Sequence, residues 1–279
     1  MKAFSAARGP KLFLDETSVL DIGGCLVDGV DIAPGRAIPD DGDPRIDHSL
    51  EGFLFTCGPD HIRHPQPIPG DPEGRKYPLH GSYSAHPAEI LFWDVRGEDA
   101  ECQARVPVKT ADGGEALLER HWRISGETGE VSLADRLTNV GKVAFAKVHM
   151  YHINIGAWLF DPHVSLTGRM LEGGGFAWNF GEDPGGVFCV PAKVDGEDWA
   201  EVALGPLASL GGVTLKVKFR TDTLPHLQIW RNQQAPAHVL GIEPVSHRWV
   251  SREELAASGE LHMLKPGESA DYALRFCFS

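Results

Sequence analysis

"VTLKVKF" (213–219) reads as a strand with one oily side, since Val213, Leu215, Val217 and Phe219 alternate with Thr214, Lys216 and Lys218. A period of two sends the two sets to opposite faces of an extended chain. "DYALRFCF" (271–278) repeats the pattern, with Tyr272, Leu274, Phe276 and Phe278 on one face. Both predict half-buried antiparallel strands, apolar inside and polar outside. Working outward, β-rich runs recur at "ILFWDV" (90–95), "LLERHWRI" (117–124), "EVSLADRL" (130–137), "VAFAKVHMYHI" (143–153), "HLQIWRN" (226–232) and "HVLGIE" (238–243). The 32 glycines and 20 prolines are spread from end to end and break the chain into short strands and turns. One short helix is predicted at "SREELAAS" (251–258), capped by Ser251, with Glu254 reaching back and Gly259 just past its end. "IAPGRAIPDDGDPRIDH" (32–48) reads as a long loop with solvated carboxylates. There is no linker and no fixed-period repeat, so the fold class predicted is all-β: one large antiparallel β-sandwich domain over residues 1–279.

Composition narrows the partners. With 42% hydrophobic and 23% charged residues the chain is able to bury a sizeable core. Its 26 basic and 39 acidic residues leave a net charge of -13, a field that repels phosphate backbones and anionic membranes, so neither nucleic acid nor membrane is expected as a partner. A local basic cleft for a small anion is still compatible with that net charge. The N-terminal stretch has only the short apolar run Leu12 to Leu14, with no signal-peptide core, and a cytoplasmic location is expected. Cys25, Cys57, Cys102, Cys189 and Cys277 are scattered with no C-x-x-C pair, which fits reduced thiols and excludes a zinc ribbon.

Several polar residues stand where chemistry could use them. "PLHGSYSAHPAE" (78–89) holds His80 and Glu89 on a loop without helical or strand period. In "VHMYHINIG" (148–156), read as a strand, His149 points outward with Phe145 and Tyr151, while His152 shares the other face with Ala146, Val148, Met150 and Asn154. That odd offset disfavours a two-histidine metal site. His152 and Asn154 are either satisfied by a neighbouring strand or form a proton donor at the mouth of a sandwich. Glu243, between Ile242 and Pro244, is either an acceptor for loop amides or a base whose pKa is raised by apolar neighbours. Trp230 and Arg231 add an indole that stacks on a sugar or packs in a core, and a guanidinium that forks onto hydroxyls or carboxylates. Cys57 lacks any local group that would activate a thiol.

Taken in order, "FTCGPD" (55–60), "PLHGSYSAHPAE", "YHINIG" (151–156), "IWRN" (229–232) and "LGIEP" (240–244) resemble the galactose mutarotase-like superfamily, in an uncharacterised aldose 1-epimerase-like branch. The likeness runs from about residue 50 to the C-terminus. It implies a β-supersandwich with a small sugar in an open cleft on one sheet, with Glu243 as general base, His152 as general acid on the ring oxygen and His80 in contact with the sugar. From their own side-chain chemistry, Asn154, Trp230 and Arg231 are expected to bind the sugar beside them, and Glu89 is expected to orient the loop. Such a reaction needs two proton carriers and neither a metal nor another cofactor. A homo-oligomer is compatible with this reading.

The sequence departs from the branch in two places. Ser82 and Tyr83 stand where an arginine usually follows L-H-G, and Pro59 stands where leucine usually follows T-C-G. Two other functions compete with the epimerase: a carbohydrate-binding protein without turnover, and a metal-dependent sugar isomerase drawing on some of His61, His64, His80, His86 and His152.

Overall fold

The computed structural model describes residues 1–35, 51–84, 86–233 and 238–279, so most of the predicted loop 32–48 lies outside the described residues. The alternating stretches 213–219 and 271–278 fall in neighbouring antiparallel strands, Val213–Arg220 and Ser269–Phe278, with Val217 opposite Phe276 and Phe219 opposite Leu274. They sit in the middle of a nine-stranded sheet that runs Gly175–Ala177, Ser165–Gly168, Trp199–Leu207, Val213–Arg220, Ser269–Phe278, Val131–Asn139, Glu115–Ile124, Ala100–Lys109, Glu89–Asp94. A second large sheet runs Lys2–Phe4, Lys11–Asp15, Asp21–Val27, Leu54–Cys57, Met150–Gly156, Val239–Val245, His226–Asn232, Gly185–Pro191, with Val30–Asp31 beside Asp21–Val27. The first is called the outer sheet below and the second the site sheet.

The inner faces of the two sheets meet in one continuous apolar core. Leu215, Val217, Leu274 and Phe276 enter it from the outer sheet, and Tyr151, Ile153, Ile155, Leu227 and Ile229 from the site sheet. Phe53 meets Phe276 edge-on at 5.3 Å between ring centroids. This is the antiparallel β-sandwich that the alternation predicts. The helix is Arg252–Ala257, and Ser251 Oγ accepts from the Glu254 amide at 3.1 Å. Among the described residues no helix is long and apolar enough to cross a membrane.

One stretch departs from its reading. Residues 143–153 do not form a single strand: Phe145–Ala146 pairs with Met263–Leu264, and Met150–Gly156 then enters the site sheet. His149 and His152 do take opposite sides, but His149 points inward, fully buried and stacked on Tyr272 at 3.9 Å. The row containing Tyr151 is the core-facing one, so the row containing His152 is left on the outside of the sandwich.

A buried cation links the two sheets. Arg120 comes from the outer sheet in phase with Leu118, Trp122 and Ile124, all buried. Its Nε and one terminal nitrogen donate to Asp135 at 2.9 and 2.7 Å, and the remaining bonds cross to Asp21 Oδ1 (3.0 Å), the Val19 carbonyl (2.7 Å) and Thr56 Oγ1 (2.9 Å). Tyr151 Oη donates to the same Asp135 at 2.8 Å. Removing one member of such a group leaves buried charges without a partner. Arg120→Met is therefore expected to cost about 3–5 kcal/mol in urea unfolding. A loss no larger than that for an exposed pair, about 1 kcal/mol or less, would contradict this account.

Candidate functional site

The outward face of the site sheet carries a straight row of side chains across five strands. Pairing sets Phe55 opposite His152, Gln228 opposite Glu243 and Cys189 opposite Gln228. With Met150 opposite Val245 and Ile153 opposite Ile242, His152 falls opposite Glu243. The neighbouring row contains Asn154, Gly241 and Trp230. Directly opposed residues have their Cβ atoms about 5 Å apart, so the register alone brings an imidazole, a carboxyl and an amide together.

The imidazole and the carboxyl are in direct contact. His152 Nε2 lies 3.1 Å from Glu243 Oε1, with the two side chains 4% and 1% exposed. Gln228 Nε2 donates to the other carboxyl oxygen, Oε2. Space for this arrangement comes from a missing side chain, because a Cβ on Gly241 would stand 2.6 Å from Glu243 Oε1, 3.0 Å from His152 Cε1 and 3.1 Å from Trp230 Cε3. The His152 ring is flanked edge-on by Trp230 at 5.3 Å and by His80 at 5.6 Å.

Backbone geometry sets His80 in place. Its amide donates to the Arg63 carbonyl at 2.8 Å and its own carbonyl accepts from Gly58 at 2.9 Å. His80 has a positive φ of 56° and Gly81 follows at 82°. A side chain at Gly81 would strike the carbonyls of His61 and Gly58, which explains the L-H-G order. The same loop fixes Arg63, whose guanidinium lies over the Trp249 ring at 3.9 Å and donates to the backbone carbonyls of Val250 and Arg248.

Burial dominates the electrostatics. It pushes the Glu243 carboxyl up to about 8, against the opposing influence of the Gln228 hydrogen bond and the Arg63 charge. It pushes the His152 imidazole down to about 4, with Asn154 acting weakly the other way. A charged group taken out of water loses hydration that its neighbours must replace, and here they replace only part of it. Near neutral pH the pair is therefore carboxylic acid plus neutral imidazole, holding one titratable proton between them.

The sequence-predicted residues divide in two. Glu243, His152, His80 and Trp230 converge, and Asn154 sits directly behind the imidazole, fully buried and donating to the Gly52 carbonyl at 3.1 Å. Arg231 does not join them. It lies in phase with the core residues Leu227 and Ile229, on the side away from Trp230, and pairs with Asp183 at 3.3 Å. Glu89 does not orient the His80 loop: it begins an edge strand, is exposed, and stands 3.9 Å from Arg105. Cys57 is a buried member of a small apolar cluster with Phe55, Met150 and Val245. Gln228 and Arg63 were missed, although period two places Gln228 with Trp230. At the positions where the branch carries an arginine, Ser82 bonds Asp60 and Tyr83 is buried in the core. Of the histidines named for a metal, His80 and His152 meet edge-on, while His61 turns to the His64 carbonyl and His86 to the Tyr83 carbonyl and the Lys109 amide. Among the described residues no group of three or more His, Cys, Asp or Glu is arranged to hold a metal ion.

Comparison with known proteins adds a family and a fold. A family model described as a domain of unknown function (DUF4432) matches residues 33–170 and 180–277. Among curated proteins, no sequence matches significantly. A provisionally assigned aldose 1-epimerase from Klebsiella pneumoniae superposes with a TM-score of 0.74 at 19% identity, over 97% of this chain and 77% of its own. Galactose mutarotase-like proteins from Lactobacillus casei (0.68, 12% identity, all of both chains) and Clostridium acetobutylicum (0.67, 13%, 99% of this chain and 94% of its own) superpose as well. At these identities the likeness is one of fold.

The protonation of the pair is directly measurable. Imidazole nitrogen shifts of His152 are expected to stay those of a neutral ring from pH 7 down to near 4, and the Glu243 carboxyl carbon to keep its protonated shift until pH approaches about 8. A His152 that titrates at the ordinary histidine value of about 6.5 would contradict the assigned burial.

Proposed function

The chain belongs to the DUF4432 family and has the galactose mutarotase-like fold, and from that premise we propose that it is an aldose 1-epimerase-like isomerase acting on a small sugar. The observation that supports this most is the contact between His152 and Glu243, with Trp230 and His80 against the imidazole. Anomer exchange requires a base at the anomeric hydroxyl and an acid at the ring oxygen. Those two oxygens share one carbon, so two proton carriers must stand side by side at a single edge of the ring, each within hydrogen-bond reach.

In this reading Glu243 takes the proton of the anomeric hydroxyl and His152 delivers one to the ring oxygen. The ring opens, the C1–C2 bond turns, and reclosure on the other carbonyl face inverts C1. The proton inventory is already correct. Carboxylic acid plus imidazole contains the same single proton as carboxylate plus imidazolium, so one transfer between the partners arms the site. Burial disfavours the charged form in the free protein, and sugar hydroxyls hydrogen-bonding to the carboxylate would offset that cost. Gln228 holds Glu243, Asn154 backs His152, His80 contacts sugar oxygens and Trp230 offers its face to the C–H side of the ring.

Two measurements test this. Glu243→Gln is expected to lower catalysed anomer exchange of a responsive aldose at least about 100-fold, followed by polarimetry or exchange NMR, with the fold intact by circular dichroism. An unchanged rate would remove Glu243 as the base, and sugar binding without any exchange by the wild type would leave a sugar-binding protein without turnover. The pH dependence has a defined sign. Above about 8 the pair loses its proton and has no acid, and below about 4 it gains a second and has no base, so the rate falls on both sides of that window. A profile rising steadily past pH 9 would point to a different base.

A further inference from the structure

A second hollow, of about 200 Å³, lies between the loop around Arg63 and the segment that follows strand Val239–Val245. It is separate from the sugar cleft, since none of His152, Glu243, His80 or Trp230 lines it. Val148 and His247, which do, stand four residues from His152 and Glu243, about 13 Å along extended chain. Its described lining includes two arginines, Arg63 and Arg252, and three histidines, but no aspartate or glutamate. Much of the remaining wall is apolar, from Ile62, Val148, Trp249 and Leu255. In a chain with 39 acidic and 26 basic residues, a hollow lined in this way carries a local field opposite to that of the whole.

Neither guanidinium is paired with a carboxylate among the described residues. Arg63 donates to the carbonyls of Val250 and Arg248 and lies over the Trp249 ring at 3.9 Å, while its buried Nε has no partner there. Arg252 donates to the Asp60 carbonyl at 2.6 Å and to Tyr77 Oη at 3.1 Å. Each terminal nitrogen carries two N–H groups, and these bonds take one apiece. The acids in the surroundings are engaged by other donors. Asp60 accepts from Ser82 and Ala111, Asp112 from Thr110 and Tyr77, and Glu254 and Glu260 from Arg248. His61 and His247 are held neutral, chiefly by burial and further by the charges of both arginines. Two cations against one apolar wall repel each other. An anion taken up between them relieves that repulsion, and the apolar wall strengthens the pairing.

We propose that this hollow is a second binding site, for a small free oxyanion such as inorganic phosphate, held by the remaining N–H groups of Arg63 and Arg252. Its volume sets the size of the ligand. Sites for larger organic ligands begin at about 300 Å³, so a hollow of about 200 Å³ suits a tetrahedral oxyanion or a short carboxylate, and a nucleotide or a sugar phosphate is too large for it. The planar guanidinium fork matches the oxygens of either anion. This site stands on the hollow and its lining, and it does not depend on the epimerase reading.

The test is calorimetric titration of inorganic phosphate into the full chain at constant ionic strength, with sodium chloride as the balancing salt. The wild type is expected to bind one phosphate with a Kd of about 1 mM or tighter. Arg252→Met is expected to weaken that binding at least about tenfold, the worth of one hydrogen bond to a charged group. Glu243→Gln, altered in the sugar cleft, is expected to bind phosphate as the wild type does. Arg252 also ties down Asp60 and Tyr77, so a second measurement uses the unaltered protein: the Nε nitrogen shifts of Arg63 and Arg252 are expected to move saturably at the calorimetric Kd. Sulfate binding as well as phosphate would assign a tetrahedral oxyanion and tighter acetate a carboxylate, and either result supports the site. Absence of saturable binding below about 10 mM phosphate would overturn the proposal. So would undiminished binding in both Arg252→Met and Arg63→Met, or Nε shifts that stay fixed while phosphate binds.

Discussion

The fold depends on one buried guanidinium that has no way to be satisfied within its own sheet. Arg120 divides its donors between Asp135 on the outer sheet and, across the core, Asp21 and Thr56 on the site sheet and the Val19 carbonyl in the turn before Asp21. Exchanging such a cluster for well-packed apolar groups often costs nothing in stability, so its value lies in what it forbids. It forbids slippage. Shifting either sheet by one residue would pull Arg120 or Thr56 away and leave charge in the core unpaired. Tyr151 is tied into the same cluster through Asp135. Its successor His152 must therefore emerge on the opposite face, and the register that seats Tyr151 in the core also seats the imidazole against Glu243.

The site itself follows from that register and from one absent side chain. His152, Glu243 and Gln228 come from three adjacent strands, and no turn or loop is needed to bring them together. Gly241 keeps the next row low, and Trp230 closes over the space beside it. Such a row is rigid, which suits groups that must hold sub-ångström positions at a reacting carbon. The loop contributions, His80 and Arg63, are fixed instead by backbone hydrogen bonds between segments 58–63 and 78–83.

What could be read from the sequence was limited by what a period of two encodes. Alternation tells which face of a strand a residue occupies, and on that basis stretches 213–219 and 271–278 led to the sandwich and His149 was separated from His152. It does not encode which strand lies alongside or at what offset. Gln228 therefore gave no sign of facing Glu243, since that contact exists only through pairing of the two strands. Arg231 failed for a simpler reason: it is the chain neighbour of Trp230, and neighbours on a strand face opposite ways. Glu89 failed because proximity along a loop was read as proximity in space. Arg63 was invisible for another reason. It enters from a turn, at a positive φ of 85°, and neither periodicity nor propensity reports where such a residue points.

The distribution of charge connects these observations. A sheet face that carries a carboxyl with a pKa near 8 has removed its own anion at neutral pH, and it does so beside a cation, Arg63, that would otherwise hold that carboxyl ionised. Burial outweighs the lowering influence of Arg63, whose guanidinium is directed to the backbone carbonyls of Arg248 and Val250 and stacked on Trp249. The arrangement leaves positive charge uncompensated on one side and a single proton undecided between two groups on the other. Both Arg63 and Arg252 end on neutral acceptors, the backbone carbonyls of Val250, Arg248 and Asp60 and the Tyr77 hydroxyl.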